Sequence, residues 1–452
     1  MRIHLIAIGG AVMHNLAMAL HNKGFRVTGS DDEVFEPSRS RLAAYGLLPE
    51  STGWDPARIT PDLDGVILGM HAKKDNPELL RAQELGIKTW SFPEYIYEQS
   101  RDKKRVVIGG SHGKTTVTSM IMHVLHYNHF DFDYMVGSQL EGFETMVKLT
   151  ADAPVIILEG DEYLSSPIDL RPKFHLYHPH IAVLTGIAWD HMNVFPTFEN
   201  YLEQFRIFAE GIREDGVLFW YREDRHLQEI TEGLKCSTHP YAAHPYENKD
   251  SRNYLATPGL QVEVPVFGNH NMQNIQAALE VCRELGLPDA QFYEAISSFS
   301  GAARRQELLA ESDRVKVYLD FAHAPSKVKA TLESFRETYP RKRITAILEL
   351  HSFSSLNKAF MPEYAGTMEA ADKAIVYYNP EVVKHKQLPA FEKSFVSDCF
   401  QHKNLSVIDD ADKLKKRLLQ NPEADICLLM SSGNFSGLDL MNIAKTIVDP
   451  FS

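Results

Sequence analysis

The chain has 452 residues, too many for one ordinary core, and at roughly 150 residues per domain it predicts about three domains. Apolar residues make up 44% and charged residues 24%, an ordinary globular balance that excludes disorder on a large scale. A net charge of -13 excludes a broad nucleic-acid-binding face and leaves room only for a local basic pocket.

The first residues, Met1 to Ile8, form an apolar strand pattern that runs into Gly9-Gly10 without the cleavage pattern of a secretory signal. No apolar run reaches the roughly 18 residues of a membrane span, so the expectation is a cytoplasmic enzyme with neither membrane nor nucleic acid as partner. Cys236, Cys282, Cys399 and Cys427 are too scattered for a disulfide framework or a zinc pair. Beyond the glycine turn, strand and helix signals alternate: a helix to about Lys23, a strand ending in Gly29-Ser30-Asp31, a buried strand at 65–68, a helix over 76–85 and a short strand at 88–90. That order predicts a parallel, doubly wound sheet. The charged run 101–105 marks a boundary near residue 100 and a first domain of residues 1–100.

An apolar strand at 105–108 then leads into Gly110-Ser111-His112-Gly113-Lys114-Thr115-Thr116 and a helix. A glycine-rich turn between strand and helix leaves backbone N–H groups to cradle phosphates, and the helix N-terminus adds about half a positive charge. The stretch predicts a nucleoside triphosphate, with Lys114 on its β/γ-phosphates and the Thr115 hydroxyl helping to hold Mg²⁺. It is shorter than the common loop, which would need glycine where Ile108 stands. Strands at 155–158 and 181–184, each with a helix after it, continue the segment. Glu159-Gly160-Asp161-Glu162 follows the first and Asp190-His191 the second, at the sheet edge where ligands bind and where carboxylates can share Mg²⁺. Taken singly, these residues also read as a solvated acidic turn and a structural histidine. His270, Asn271 and Asn274 fall on one turn of a helix over 271–285; amides there can pair with a purine edge, and asparagine at a helix start also reads as a cap. The second domain is expected over 101–299.

The third, 300–452, carries Arg304-Arg305, a strand at 315–319, Asp320-Phe321-Ala322-His323-Ala324-Pro325, a helix over 326–338, a strand at 344–348, a helix over 362–370, and strands at 374–378 and 426–430. The residues alone leave open a regulatory nucleotide switch and a dinucleotide oxidoreductase, although Gly9-Gly10 lacks a third glycine in register for the latter.

Taken in order, the Gly110–Thr116 loop, Glu159-x-Asp161-Glu162, Asp190-His191, His270-Asn271-x-x-Asn274, Arg304-Arg305 and Asp320-Phe321-Ala322-His323-x-Pro325 resemble the Mur ligase family of cell-wall precursor enzymes over essentially the whole chain. The resemblance implies an α/β fold in three domains: a Rossmann-like N-terminal domain for a UDP-sugar, a P-loop ATPase central domain, and a Rossmann-like C-terminal domain that brings in an amine, with closure assembling the site. It implies ATP and Mg²⁺ as cofactors. Gly110, Ser111, His112, Gly113, Lys114, Thr115 and Thr116 would surround the phosphates; Thr115, Glu159 and His191 would hold the metal; His270, Asn271 and Asn274 would face adenine; Arg305 and Asp320 would reach the nucleotide. Lys114, Asp320 and His323 are the implied catalytic residues, with His323 close to the acyl acceptor. Gly9, Gly10, Ser30, Asp31, Asp161, Glu162 and His351 are the implied substrate-binding residues.

Residues 9–13, Gly29-Ser30-Asp31 and Asp75-Asn76-Pro77-Glu78 are similar to the branch that uses UDP-N-acetylmuramate itself as acyl donor, and residues 198–206 lack the lysine that later-acting branches carbamylate. Arg171 to His175, Tyr177-His178-Pro179 and Met430 to Gly437 resemble the member that attaches a preformed tripeptide, L-Ala-γ-D-Glu-meso-diaminopimelate; free L-alanine is the alternative acceptor. Three departures stand out: Ala7 replaces the first glycine of the N-terminal turn, Ala324 a second histidine, and the stretch from His351 to Ser355 lacks arginines, for which Lys358 could substitute. The implied chemistry is γ-phosphoryl transfer to a carboxylate, then attack of an amine on the acyl phosphate, with Lys114 and Mg²⁺ neutralising charge. Asp320 or His323 would orient or deprotonate the incoming ammonium.

Overall fold

The computed structural model describes residues 1–449 apart from 251, 258, 302–303 and 421–423. The chain divides into two compact units. The first comprises Met1–Ile187, Leu202–Ala242 and Ala277–Ala295, and the second Ala188–Tyr201, Ala243–Gln276 and the chain from Ile296 onward.

The first unit contains two sheets. One has four strands in the order Arg26–Ser30, Arg2–Ile6, Gly65–Leu68 and Thr89–Ser91, all parallel. The other has seven, in the order Ser237–Tyr241, Val217–Tyr221, Ile181–Leu184, Lys104–Gly109, Val155–Glu159, Phe132–Met135 and Val147–Lys148, of which only the last pairs antiparallel. Val106, Val107, Ile108, Ile156, Ile157 and Leu158 are fully buried, as parallel strands covered on both faces must be. Local chemistry sets the helix starts: the Asn76 side chain accepts from the Glu78 and Leu79 N–H groups ahead of Pro77–Glu84, and Ser91 and Glu94 form a reciprocal capping box for Phe92–Gln99.

The second unit has a three-stranded antiparallel meander, Tyr246–Lys249, Arg252–Thr257 and Leu260–Val264. Its main sheet has six strands in the order Glu307–Glu311, Lys316–Asp320, Ile426–Met430, Ile344–Leu350, Lys373–Tyr378 and Leu405–Ile408, parallel except for the first pair. No described helix is long and apolar enough to cross a membrane.

The expected parallel sheets are present, and two expected helices are not. After Val155–Glu159 the chain makes turns and a single 3-10 turn, Lys173–Leu176, and no α-helix follows before the next strand. Residues 362–370 form only the 3-10 turn Met361–Tyr364: Pro362 opens a helical turn, but Gly366 sits at φ +70° and ends it. Met361, Tyr364 and Met368 are nonetheless fully buried, which explains their helix-like apolar spacing.

Gly29 has no room for a side chain, since a Cβ there would lie 2.5 Å from Ile8 Cδ1 and 2.9 Å from the Leu5 carbonyl oxygen. Gly29→Ala should therefore lower stability by about 1–3 kcal/mol through overpacking, read as a lower thermal midpoint; an unchanged midpoint would contradict this packing.

Candidate functional site

In the first unit, strand Lys104–Gly109 pairs with Val155–Glu159 on one side and Ile181–Leu184 on the other. Three strand ends therefore share one edge, and the glycine loop leaves from the middle one. Gly110 lies at φ +133°, and a Cβ there would fall 2.0 Å from Thr185 Oγ1; Gly113 lies at φ +81°. Only glycine fits such a cradle. The Ser111 N–H donates to the Gly186 carbonyl at 2.9 Å, the Thr185 hydroxyl donates to the His112 carbonyl, and Thr116 is buried at the start of helix Lys114–Tyr127.

Lys114 Nζ stands 2.7 Å from Glu162 Oε2 and donates to the Gly110 carbonyl. Burial opposes its charge, but Glu162, with Asp161 and Glu159 behind it, outweighs burial and raises the lysine pKa. Thr115 Oγ1 donates to Glu159 Oε1 at 2.8 Å, while Glu159 Oε2 accepts the Gly137 N–H at 2.8 Å. Asp161 pairs with Lys173 and accepts the Tyr163 N–H at 3.0 Å. Burial would raise the Asp161 pKa; Lys173 and Lys114 together pull it well below the usual carboxylate range. A half-buried cation in a glycine cradle beside a hydroxyl and a carboxylate suits a polyphosphate and a hard divalent cation.

At the N-terminal turn the Gly9 N–H donates to Asp31 Oδ2 at 2.7 Å, and His71 Nε2 lies 2.9 Å from Asp31 Oδ1. Burial works against the Asp31 charge, yet His71 and the Gly9 N–H lower its pKa, and Asp31 in turn raises that of His71. Gly10 precedes helix Ala11–Asn22 as its N-cap. Ala7 takes φ +68°, the left-handed backbone that the glycine it replaces would adopt without cost. Ser30 turns inward: its hydroxyl donates to Glu78, which is wholly buried, lies 3.3 Å from His4 Nε2 and accepts the Asp55 N–H at 2.8 Å. Asp31, Asp32 and His71 can bring three ligand atoms within 4.8 Å of one another, but His71 already serves Asp31 as an ion-pair partner.

In the second unit His191 sits at φ +55°, its N–H donating to Asp190 Oδ1 at 2.8 Å. Asp190 Oδ2 lies 3.4 Å from Lys327 Nζ on helix Pro325–Thr338. Burial opposes the Asp190 charge, and Lys327, His191 and His323 overcome it, holding the pKa well below the ordinary range. His323 is pushed down to about 3, by burial first and then by Lys327, against the pull of Asp190. Its Nδ1 is 2.7 Å from the Phe321 carbonyl; a carbonyl only accepts, so Nδ1 carries the proton and Nε2 the lone pair.

Asp320 is pinned at its strand end, Oδ2 accepting the Gln306 N–H at 2.8 Å and Oδ1 the Ala322 N–H at 2.7 Å. The Arg305 guanidinium lies 4.4 Å from the centre of the Phe321 ring, and Arg304 donates to the Gly433 carbonyl. His270 Nδ1 is 2.8 Å from Ser334 Oγ, and burial, with Arg305 and against Asp320, lowers its pKa. Asn271 and Asn274 are buried one turn apart on helix Asn269–Glu284. His351 follows strand Ile344–Leu350, its Nδ1 3.9 Å from Glu349 Oε1. Ala324 occupies the N-cap of Pro325–Thr338 without a side-chain bond, and Lys358 lies against the Phe395 ring.

Sequence reasoning missed Lys327, Lys173 in its pairing role and His71, and it read Glu78 only as part of a motif and not as the acceptor of the Ser30 hydroxyl. Each acts through a partner distant in sequence; the one signal available for Lys327 was its place one turn after His323.

Sequence patterns of three domain types match the chain: "Mur ligase family, catalytic domain" over residues 2–104, "Mur ligase middle domain" over 108–282 and "Mur ligase, glutamate ligase domain" over 304–433. The UDP-N-acetylmuramate--L-alanine ligase of Desulforamulus reducens is 32% identical over 79% of this chain and 79% of its own. The UDP-N-acetylmuramate--L-alanyl-gamma-D-glutamyl-meso-2,6-diaminoheptandioate ligase of Haemophilus influenzae is 29% identical over 96% of this chain and 97% of its own. The crystal structure of a murein peptide ligase from Psychrobacter arcticus superposes with a TM-score of 0.69 at 22% identity, covering 99% of each chain.

The depressed His323 has a measurable consequence. The unfolded chain protonates histidine near pH 6.5 and the folded one near 3, so the unfolded state binds the extra proton and stability falls as pH drops through that window. His323→Gln should lose less thermal stability than the native protein between pH 7 and pH 4.5; an equal loss would remove His323 as a source of acid sensitivity.

Proposed function

The chain belongs to the Mur ligase family, and we propose that it joins the carboxylate of UDP-N-acetylmuramate to the amine of L-Ala-γ-D-Glu-meso-diaminopimelate during cell-wall recycling. It has the three-domain α/β fold of that family and is an ATP-dependent, ADP-forming amide ligase. We assign residues 1–100 to the UDP-sugar, 101–299 to ATP and 300–452 to the amine, in a cytoplasmic setting. The observation that carries the ligase reading is Lys114, half-buried in a glycine cradle and held by Glu162 with Asp161 and Glu159 nearby.

In this reading the Gly110–Thr116 backbone binds the triphosphate, and Lys114 exchanges Glu162 for a phosphate oxygen. Thr115, Glu159 and His191 would hold Mg²⁺, which when bound supplies charge neutralisation for phosphoryl transfer. The carboxylate oxygen of the donor attacks the γ-phosphorus and ADP leaves; the ammonium gives up a proton to water and attacks the acyl carbon as the amine, and phosphate leaves with the second proton as the amide forms. Arg305, beside Asp320, is assigned to the nucleotide, with His270, Asn271 and Asn274 on the base side. Asp320 has both carboxylate oxygens engaged by backbone N–H groups, so its role is to position the Arg305 segment. With a pKa of about 3 the His323 ring keeps only its Nδ1 proton at neutral pH, so it accepts a hydrogen bond from the ammonium through Nε2 and orients it. Gly9, Gly10, Ser30 and Asp31 are assigned to the UDP-sugar, Ser30 through its backbone because its hydroxyl is spent on Glu78. Asp161, Glu162 and His351 are assigned to the joined substrates.

The tripeptide is favoured by residues 171–179, whose Lys173 is ion-paired to Asp161 beside the phosphate loop. Free L-alanine is the second reading, favoured by the 32% identity to an L-alanine ligase. Phosphate release should require both UDP-N-acetylmuramate and an amine, and turnover without the UDP-sugar would refute the ligase. Faster amide formation with L-alanine than with the tripeptide would decide for the second acceptor. Lys114→Ala should reduce phosphate release by at least about a hundredfold; retained turnover would remove Lys114 from the reaction.

A further inference from the structure

Among the described residues, one buried donor in the second unit lacks a hydrogen-bond partner, and the bonds around it leave no choice about which atom it is. The Phe267 carbonyl accepts a hydrogen bond from Asn271 Nδ2 at 2.9 Å. A carbonyl demands a donor, so Asn271 must present its amide nitrogen there and its oxygen opposite, where Asn274 Nδ2 donates to it at 3.3 Å. The second Asn271 Nδ2 proton goes to Gln306 Oε1 at 3.0 Å. Turning the Gln306 amide over would set two N–H groups against each other, so Nε2 is the atom left pointing away. It is buried and makes no hydrogen bond among the described residues.

A buried donor left without a partner loses its hydration and regains nothing, and each instance calls for an explanation. Gln306 is also held in an uncommon backbone state, φ +51°, by the bond from its N–H to Asp320 Oδ2 at 2.8 Å. A non-glycine residue in the left-handed region is kept there by its surroundings and marks a place to look for function. Asn271 has both amide protons engaged and so has no donor left for a ligand. Gln306 Nε2, one bond away, is a donor still to be satisfied, and Asn274, on the other side, keeps its own amide oxygen as an acceptor.

We propose that Gln306 reads the base of the bound nucleotide: its Nε2–H donates to a ring nitrogen of adenine adjacent to the exocyclic amine, while Asn274 Oδ1 accepts from that amine. The donor-acceptor pair so formed matches adenine and mismatches a 6-oxopurine, whose oxygen would face the Asn274 oxygen. Asn271 is then the positioning residue that locks both amides in the reading orientation. This assignment rests on the nucleotide lying at helix Asn269–Glu284, as proposed above.

The test is a binding cycle on the full chain with ATP, 1-deaza-ATP and 7-deaza-ATP, measured by calorimetry for the native protein and for Gln306→Met, which keeps the length and removes the donor. Native protein should bind one of the two deaza analogues about tenfold more weakly than ATP. Gln306→Met should bind ATP about tenfold more weakly than native and should no longer distinguish that analogue from ATP, because the bond is already gone. Gln306→Glu, which sets an acceptor against the ring nitrogen, should be weaker still. A purely structural role would weaken all three nucleotides equally and keep the discrimination, and that result overturns the proposal, as does native protein that binds both analogues as tightly as ATP. Native protein that binds no ATP at all overturns the ligase reading along with it.

Discussion

The position of strand Lys104–Gly109 between Val155–Glu159 and Ile181–Leu184 is the constraint on which the chemistry of the first unit depends. A parallel sheet aligns the carboxyl ends of its strands, so the residues that follow each strand arrive at one edge. Glu159, Asp161 and Glu162 come from one neighbour, Thr185 from the other, and the loop with Lys114 from the strand between. Shifting the register by one residue would exchange the two covered faces on which Ile108 and Gly109 lie, and Gly110 would lose its fit against Thr185.

Charge in this protein is placed where burial makes it count. Glu78, Glu159, Glu162, Asp190, Asp320 and Glu349 are all buried, a costly choice that each offsets with hydrogen bonds or an opposing charge. Glu162 has Lys114, Asp190 has Lys327, and Glu349 accepts the Ser431 hydroxyl and the Phe435 N–H. The histidines move the other way: His270 and His323 have pKa values lowered chiefly by burial. In the second unit, His323 is therefore a neutral imidazole beside the ionised Asp190.

The parts of the fold legible in the sequence were those whose burial leaves a pattern. Strands 105–108, 155–158 and 344–348 are continuous apolar runs because both faces are covered. Ser237–Tyr241 and Tyr246–Lys249 were illegible because most of their residues face water and one contains a proline. Within the site, Lys114 and Thr115 were legible because a phosphate loop keeps its residues close together in sequence, and Glu159, 44 positions from Thr115, because it ends an apolar strand. Lys327 was not, because its partner Asp190 lies 137 positions away, and nothing in the sequence marks an ion pair over that distance. Ser30 shows the converse: a motif located it, but only the buried Glu78 reveals that its hydroxyl turns inward.

Lys114 and Glu162 form a pair in which neither partner can leave without the other being left charged in a buried place. Glu162 is 1% exposed, and Lys114 Nζ stands 2.7 Å from its Oε2. Neutralising either side chain would raise the cost of burying the other's charge, so the two positions are coupled and tolerate change best when changed together.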